Sequence, residues 1–322
     1  LAVVPLLTKM SHDHHESPVF NMMYYVKAAL AGGICCSITH GSVCPIDVVK
    51  TRMQLEPAKY NKGMLNAFKQ VVSAEGTGVL ATGLGATAAG YFVQGWFKFG
   101  GVEFFKVNIA QSLGEKKAWE NRNYIYLASS AMAEFIADLF LCPLEAVRIR
   151  SVADPTFPKG LGAGAGRILS TEGALGFYAG LGPILFKQVP YTMAKFAVQG
   201  MTAEAIYGSM NTSAEKCTST QNLGISLSSG VVAGIAAAII SHPADTLLSK
   251  INKKGAGGNG STMSRLITIA REVGAVKLCT QGLGPRCLMV GTLTAGQFGI
   301  FDTVMSWVGA KKFHFHKPQD SL

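Results

Sequence analysis

Charge is what this chain has least of. Asp, Glu, Lys and Arg make up 15% of its 322 residues, against roughly 25% in an ordinary soluble domain. Acids are the scarcer sign, 19 against 29 bases, which leaves a formal net charge of +10. So little charge argues against a water-soluble globule. Disorder is excluded as well, because disordered chains are poor in apolar residues and this one is 48% hydrophobic. There is no CxxC pair, and the seven cysteines are odd in number, so a disulfide framework is not expected. P-loop, GxSxG and HExxH patterns are all missing, which removes the common motif-bearing enzyme classes. The first residues, LAVVPLLTKMSHDHHESP, are not Arg-rich and form no clear transit peptide; whether a presequence has been removed stays open.

What is present fits a membrane protein with basic loops. Nineteen uncharged residues separate Lys27 from Asp47, 22 separate Glu75 from Lys98, and 28 separate Lys216 from Asp245. About 20 helical residues cross a bilayer. These runs are rich in Gly, Ala, Ser and Thr rather than Leu, and small residues let helices pack closely in lipid.

The chain repeats itself three times. Pro45-Ile-Asp47-Val-Val-Lys50-Thr-Arg52 recurs as Pro143-Leu-Glu145-Ala-Val-Arg148-Ile-Arg150 and as Pro243-Ala-Asp245-Thr-Leu-Leu248-Ser-Lys250. A second landmark follows each at nearly constant distance: Gly83-Leu84-Gly85, Gly180-Leu181-Gly182 and Gly282-Leu283-Gly284. Two landmarks held in register over three units mark an internal repeat. Each unit reads as a long apolar helix through the Pro motif, a basic loop, a short amphipathic helix and a second apolar helix. The pattern predicts long helices over 21–54, 84–109, 120–152, 181–207, 221–253 and 283–309, and short ones over 62–73, 160–170 and 261–272. The expected organisation is an N-terminal tail (1–20), repeats over 21–114, 115–214 and 215–310, and a C-terminal tail (311–322). Proline inside a helix removes a backbone bond and kinks it, so Pro45, Pro143 and Pro243 suggest three helices converging at one end of a pore.

Proline, one residue, an acid, two residues and a base, in three copies at about hundred-residue spacing, resembles the mitochondrial carrier family over about residues 21–310. A second signature of that family is degraded here. Repeat one keeps Glu75-Gly76, repeat two keeps Glu172-Gly173, and repeat three keeps only Gly274. The resemblance implies an all-α membrane protein, with six tilted helices in a threefold pseudo-symmetric barrel. It also implies termini toward the intermembrane space and short helices on the matrix side; no cofactor is expected. Two gates would alternate around one central site. Cardiolipin is the lipid it implies at the helix starts marked by Gly83, Gly180 and Gly282, whose amides suit phosphate groups.

By the same resemblance, the motif charges would close the matrix end as a ring, Asp47 pairing with Arg148 and Asp245 with Lys50. The third pair would join Glu145 to residue 248, which is Leu248. Glu145 is therefore expected to lack its cation and to be able to carry a proton, unless Arg150 or water satisfies it.

Gating parts should follow the threefold symmetry; a small substrate does not, so its ligands belong where the repeats differ. Seven residues before the motif acid stand His40, Asp138 and Ala238; eleven before it stand Cys36, Glu134 and Gly234. Seven residues are nearly two turns and keep one face. Glu134, Asp138 and Glu145 thus share a stripe, and with His40 they read as a proton path. The even-numbered helices supply cations: Lys187 alone at one level, Lys98 and Lys195 opposite Gln297 at another, with Gln94 and Tyr191 between. The resemblance implies that Lys187 sits where carriers of that family contact substrate midway through the membrane, which makes it the expected anion contact. Lys98 and Lys195 read equally as anion ligands or as gate residues.

Lysines with neutral donors suit a small oxyanion, and neighbouring acids supply a compensating proton. The expectation is therefore a secondary transporter that moves inorganic phosphate inward with a proton. A carrier of another small anion, such as a dicarboxylate, is the nearest rival, and a structural or assembly membrane protein is the rival from another class. An enzyme and a nucleic-acid partner are not expected. Cys36, His40 and Cys44 share a helical face that would suit Cu(I), but the stripe reads better as small-residue packing around one functional His, with no metal site. Finally, residues 48–74, 146–171 and 246–271 together hold fourteen bases against two acids. The basic excess thus belongs to three equivalent segments, which the topology rule puts on the matrix side.

Overall fold

The computed structural model describes residues 20–56, 58–60, 62–153, 156–158, 160–251 and 262–315. Among them are eleven α-helices and no strand. The first repeat holds α1 (Met22–Leu55), α2 (Met64–Glu75) and α3 (Leu84–Leu113), and the one-turn α4 (Glu115–Glu120) leads into the second. The second holds α5 (Arg122–Ala153), α6 (Leu161–Glu172) and α7 (Leu181–Ser209). The third holds α8 (Ser219–Ile251), α9 (Thr262–Val273), the one-turn α10 (Ala275–Thr280) and α11 (Leu283–Trp307).

The six long helices form a closed ring. Each packs on the next in the order α1, α3, α5, α7, α8, α11, and α11 returns to α1. Three prolines lie inside continuous helices at the predicted motif positions, Pro45 in α1, Pro143 in α5 and Pro243 in α8. The expected N-terminal tail, apart from Phe20, lies outside the described residues. So do the last two residues of the helix predicted over 221–253, the first of that predicted over 261–272, and residues 316–322 of the C-terminal tail.

Two repeated devices shape the loops. Gly76, Gly173 and Gly274 follow α2, α6 and α9 with φ near +80° (81°, 73° and 79°); only glycine enters this region without a steric cost. This explains why the third repeat keeps that glycine after losing the acid before it. Where the acid survives it is clamped from the long helix: Arg52 lies 3.2 Å from Glu75, and Arg150 lies 2.6 Å from Glu172. The pattern missed the one-turn pieces at Thr77–Ala81, Ala174–Tyr178 and Ala275–Thr280, which are too short to show a helical period.

Four stretches are long and apolar enough to span a membrane: Met22–Met53, Arg122–Ser151, Ser219–Leu248 and Ala275–Trp307. Helices α3 and α7 carry more charge in their sequences, including Lys98, Glu103 and Lys106 in one and Lys187, Lys195 and Glu204 in the other. Several of those charges are buried inside the ring. The ring is drawn tight by small residues: a Cβ on Gly32 or Gly95 would collide with the facing backbone of α3 or α1.

Candidate functional site

The interior of the ring is layered from the Pro-motif end to the opposite, terminal end, where Phe20 and Phe313 meet. At the motif end, Asp47 lies 3.0 Å from Arg148, joining α1 to α5. Arg148 also lies 2.8 Å from Glu145, one turn away on α5. The expectation that Glu145 lacks a cation is thus corrected: the guanidinium forks between two acids, and Arg150, the alternative partner, is taken by Glu172.

The expected Asp245–Lys50 pair is also corrected. Lys50 is exposed. Asp245 on α8 instead binds Arg286 of α11, and Lys187 of α7 stands 3.7 Å from its other oxygen. Arg286 donates further to Ser241 at 2.9 Å. The sequence reading missed Arg286 because it has no counterpart in the other repeats: Thr87 and Ile184 hold the equivalent positions. That asymmetry was the available signal.

The middle layer is a buried polar cluster between repeats one and two. Lys98 Nζ lies 3.0 Å from Glu134 Oε2, with side-chain exposures of 5% and 0%. Thr192 of α7 donates to the same carboxylate at 2.9 Å. Gln94 Nε2 donates to both Glu134 (3.1 Å) and Asp138 (3.2 Å). A buried ion pair is tolerable only when its remaining hydrogen-bonding groups are satisfied. Glu134 meets that condition, whereas Asp138 Oδ2 and Gln94 Oε1 have no partner among the described residues. The predicted anion ligand Lys98 and the predicted proton-path acid Glu134 are therefore one unit. His40 stacks flat on Tyr91, with ring centroids 3.6 Å apart and planes 4° from parallel. Tyr191 sits 3.4 Å from Thr294.

At the level of Lys98, Lys195 Nζ donates to Gln297, whose amide reaches Cys36 Sγ at 3.7 Å. The ammonium lies 5.0, 5.5 and 5.3 Å from the ring centroids of Phe99, Phe196 and Phe298. These phenylalanines occupy equivalent positions in the three repeats, each directly after Lys98, Lys195 or Gln297. They meet edge to face, Phe99 with Phe196 at 5.0 Å and Phe196 with Phe298 at 5.5 Å, and all are buried. This ring closes the barrel at the terminal end. The opposite end is more open, for Asp47, Lys187 and Asp245 keep 32%, 34% and 27% of their side chains exposed.

Gly83, Gly180 and Gly282 are the N-caps of α3, α7 and α11, the helix starts that the sequence marked.

The family model described as "Mitochondrial carrier protein" matches residues 21–113, 120–209 and 219–312. The chain is 51% identical to "Mitochondrial substrate carrier family protein N" of Dictyostelium discoideum, over 88% of this chain and 95% of that one. It is 41% identical to "Phosphate carrier protein, mitochondrial" of Caenorhabditis elegans, over 87% of this chain and 80% of the relative. It is 39% identical to "Mitochondrial phosphate carrier protein 2, mitochondrial" of Arabidopsis thaliana, over 90% and 78% respectively.

Proposed function

The chain belongs to the mitochondrial carrier protein family, is a multi-pass protein of the mitochondrial inner membrane, and we propose that it carries inorganic phosphate into the matrix together with a proton. The named relatives support phosphate as cargo. The observation that carries the finer reading is the Lys98–Glu134–Gln94–Asp138 cluster. It is buried, placed midway through the barrel, and built from two repeats only.

In this reading the motif end faces the matrix and the termini face the intermembrane space, as the basic segments require. Phosphate is bound by cations that already have acidic or neutral partners. Lys98 exchanges Glu134 for phosphate, Lys195 exchanges Gln297, and Lys187 turns from Asp245. Gln94 and Tyr191 add neutral donors. Freed of Lys98, Glu134 remains joined to Asp138 through Gln94 Nε2, and this pair is the proton site of the proposal. Binding the anion and binding the proton are thereby coupled in one cluster. His40 on α1, stacked on Tyr91, is a route for that proton toward the motif end. Asp47, Arg148, Glu145, Asp245 and Arg286 act as the matrix gate. Cardiolipin headgroups at Gly83, Gly180 and Gly282 hold the helix starts.

The test is uptake of labelled phosphate by purified protein in liposomes. Uptake should be faster when the lumen is made alkaline, and Glu134→Gln should lose that pH response. Uptake of malate without phosphate would overturn the choice of cargo. Phosphate uptake indifferent to the pH gradient would overturn the proton coupling.

A further inference from the structure

Beyond the aromatic ring the terminal end holds charges that the helices alone do not balance. One turn past the three phenylalanines stand Glu103, Gly200 and Asp302; two turns past stand Lys106, Ala203 and Met305. The helices thus bring two acids and one base to this level. Lys106 pairs with Glu103 on its own helix at 2.5 Å. Asp302 accepts from Ser226 through one oxygen, and its other oxygen has no hydrogen-bond partner among the described residues.

The missing base comes from after the last helix. The chain turns at Gly309 (φ +68°) and runs back across the barrel mouth. Lys312 Nζ donates to Gln199 of α7 at 2.7 Å, lies 5.0 Å over the Phe298 ring, and interacts electrostatically with Asp302. Phe313 N donates to Tyr24 Oη of α1 at 3.0 Å, while Phe313 O accepts from Lys106 of α3 at 3.1 Å. Tyr24 in turn donates to Glu103 at 2.6 Å. The Phe313 ring meets Phe20, and Phe315 meets Tyr126 of α5, edge to face at 5.3 and 5.2 Å. His314 reaches the ring of Tyr207 on α7. Six residues therefore touch α1, α3, α5, α7 and α11 at once.

We propose that residues 310–315 are a built-in latch on the intermembrane-space gate, with Lys312 supplying the charge that the ring of helices lacks. Phe298 is held between Lys195 on its inner side and Lys312 on its outer side. Opening this end requires helices from all three repeats to separate. A strap hydrogen-bonded to α1, α3 and α7 must let go of at least two of them first. The latch rests on the alternating-gate reading above but not on the identity of the cargo.

Two measurements test it. In the first, Phe20 and Phe313 are both replaced by Cys and joined by a short reducible bis-methanethiosulfonate linker, with the single variants treated alike as controls. Linking should lower phosphate uptake at least tenfold, and reduction should restore it. Failure to link, or uptake at the control rate when linked, overturns the latch. In the second, an impermeant maleimide is added to mitoplasts and modification of Cys36, beneath the aromatic ring, is read by mass spectrometry. Deletion after Gly309 should raise labelling at least fivefold, and so should the full-length K312A/F313A variant. Unchanged labelling in folded protein overturns the proposal. Because labelling needs no cargo, a wrong choice of cargo leaves this second result intact, whereas a wrong latch fails it.

Discussion

Lys98 and Glu134 meet at 3.0 Å across two repeats, and both side chains are buried. Breaking a buried pair from one side leaves an uncompensated charge and costs about 3–5 kcal/mol. Lys98→Ala should therefore lower the melting temperature in detergent by several degrees. Adding Glu134→Gln to it should recover part of that loss, because the stranded carboxylate is then removed. A double variant less stable than Lys98→Ala would contradict the pairing; melting followed by a thiol-reactive fluorophore measures both.

The repeat register made the barrel legible: the Pro motif and the Gly-Leu-Gly landmark placed six long helices and their starts to within a few residues. Glu134, Asp138, Gln94 and Lys98 were legible too, because each breaks the threefold pattern inside an apolar helix. Partner assignment was less so. The family's symmetric pairing joins Lys50 to Asp245, yet Arg286, four residues past the third landmark, reaches that acid from the neighbouring helix. Symmetry predicts partners only where all three repeats keep the same charges, and Leu248 had already broken that condition. The Phe99, Phe196 and Phe298 ring was visible as a repeated position but hidden among 17 phenylalanines. The strap over the mouth carries no periodic signal, since it forms no regular element.

Arg286 rather than Lys50 holds Asp245, so their replacements should differ. Arg286→Ala strands a half-buried carboxylate and breaks the bond to Ser241. Charged hydrogen bonds of this kind contribute on the order of 1.5–3 kcal/mol. Uptake should fall at least tenfold, with a lower melting temperature. Lys50→Ala should leave uptake within twofold of the parent and the melting temperature unchanged. Equal losses in the two variants would restore the symmetric pairing.

Gly95 faces Gly32 so closely that a methyl group would strike the Gly32 carbonyl and Cys36 Cβ. Backbone cannot yield as a flexible side chain does, and overpacking costs roughly 1–3 kcal/mol or more. Gly95→Ala should sharply reduce the yield of folded protein. Gly85→Ala, where a Cβ meets nothing within 4 Å, should not. Size-exclusion recovery from the same membranes compares them.

The aromatic ring makes the last prediction. Edge-to-face pairs contribute about 0.5–1.5 kcal/mol beyond their burial, and each phenylalanine has two such neighbours in the ring or beside it. Phe298 also shields the Lys195 ammonium, 5.3 Å beneath it. Phe298→Ala removes both functions, so it should loosen the closed end more than it loosens the fold. The expected sign is a passive leak: liposomes bearing the variant should lose a trapped small-anion dye several times faster than those bearing the parent. Phe298→Leu keeps the volume but not the ring face and should leak to an intermediate degree. A tight Phe298→Ala variant would mean that the seal lies elsewhere, in the layer of Glu103, Lys106 and the strap above it.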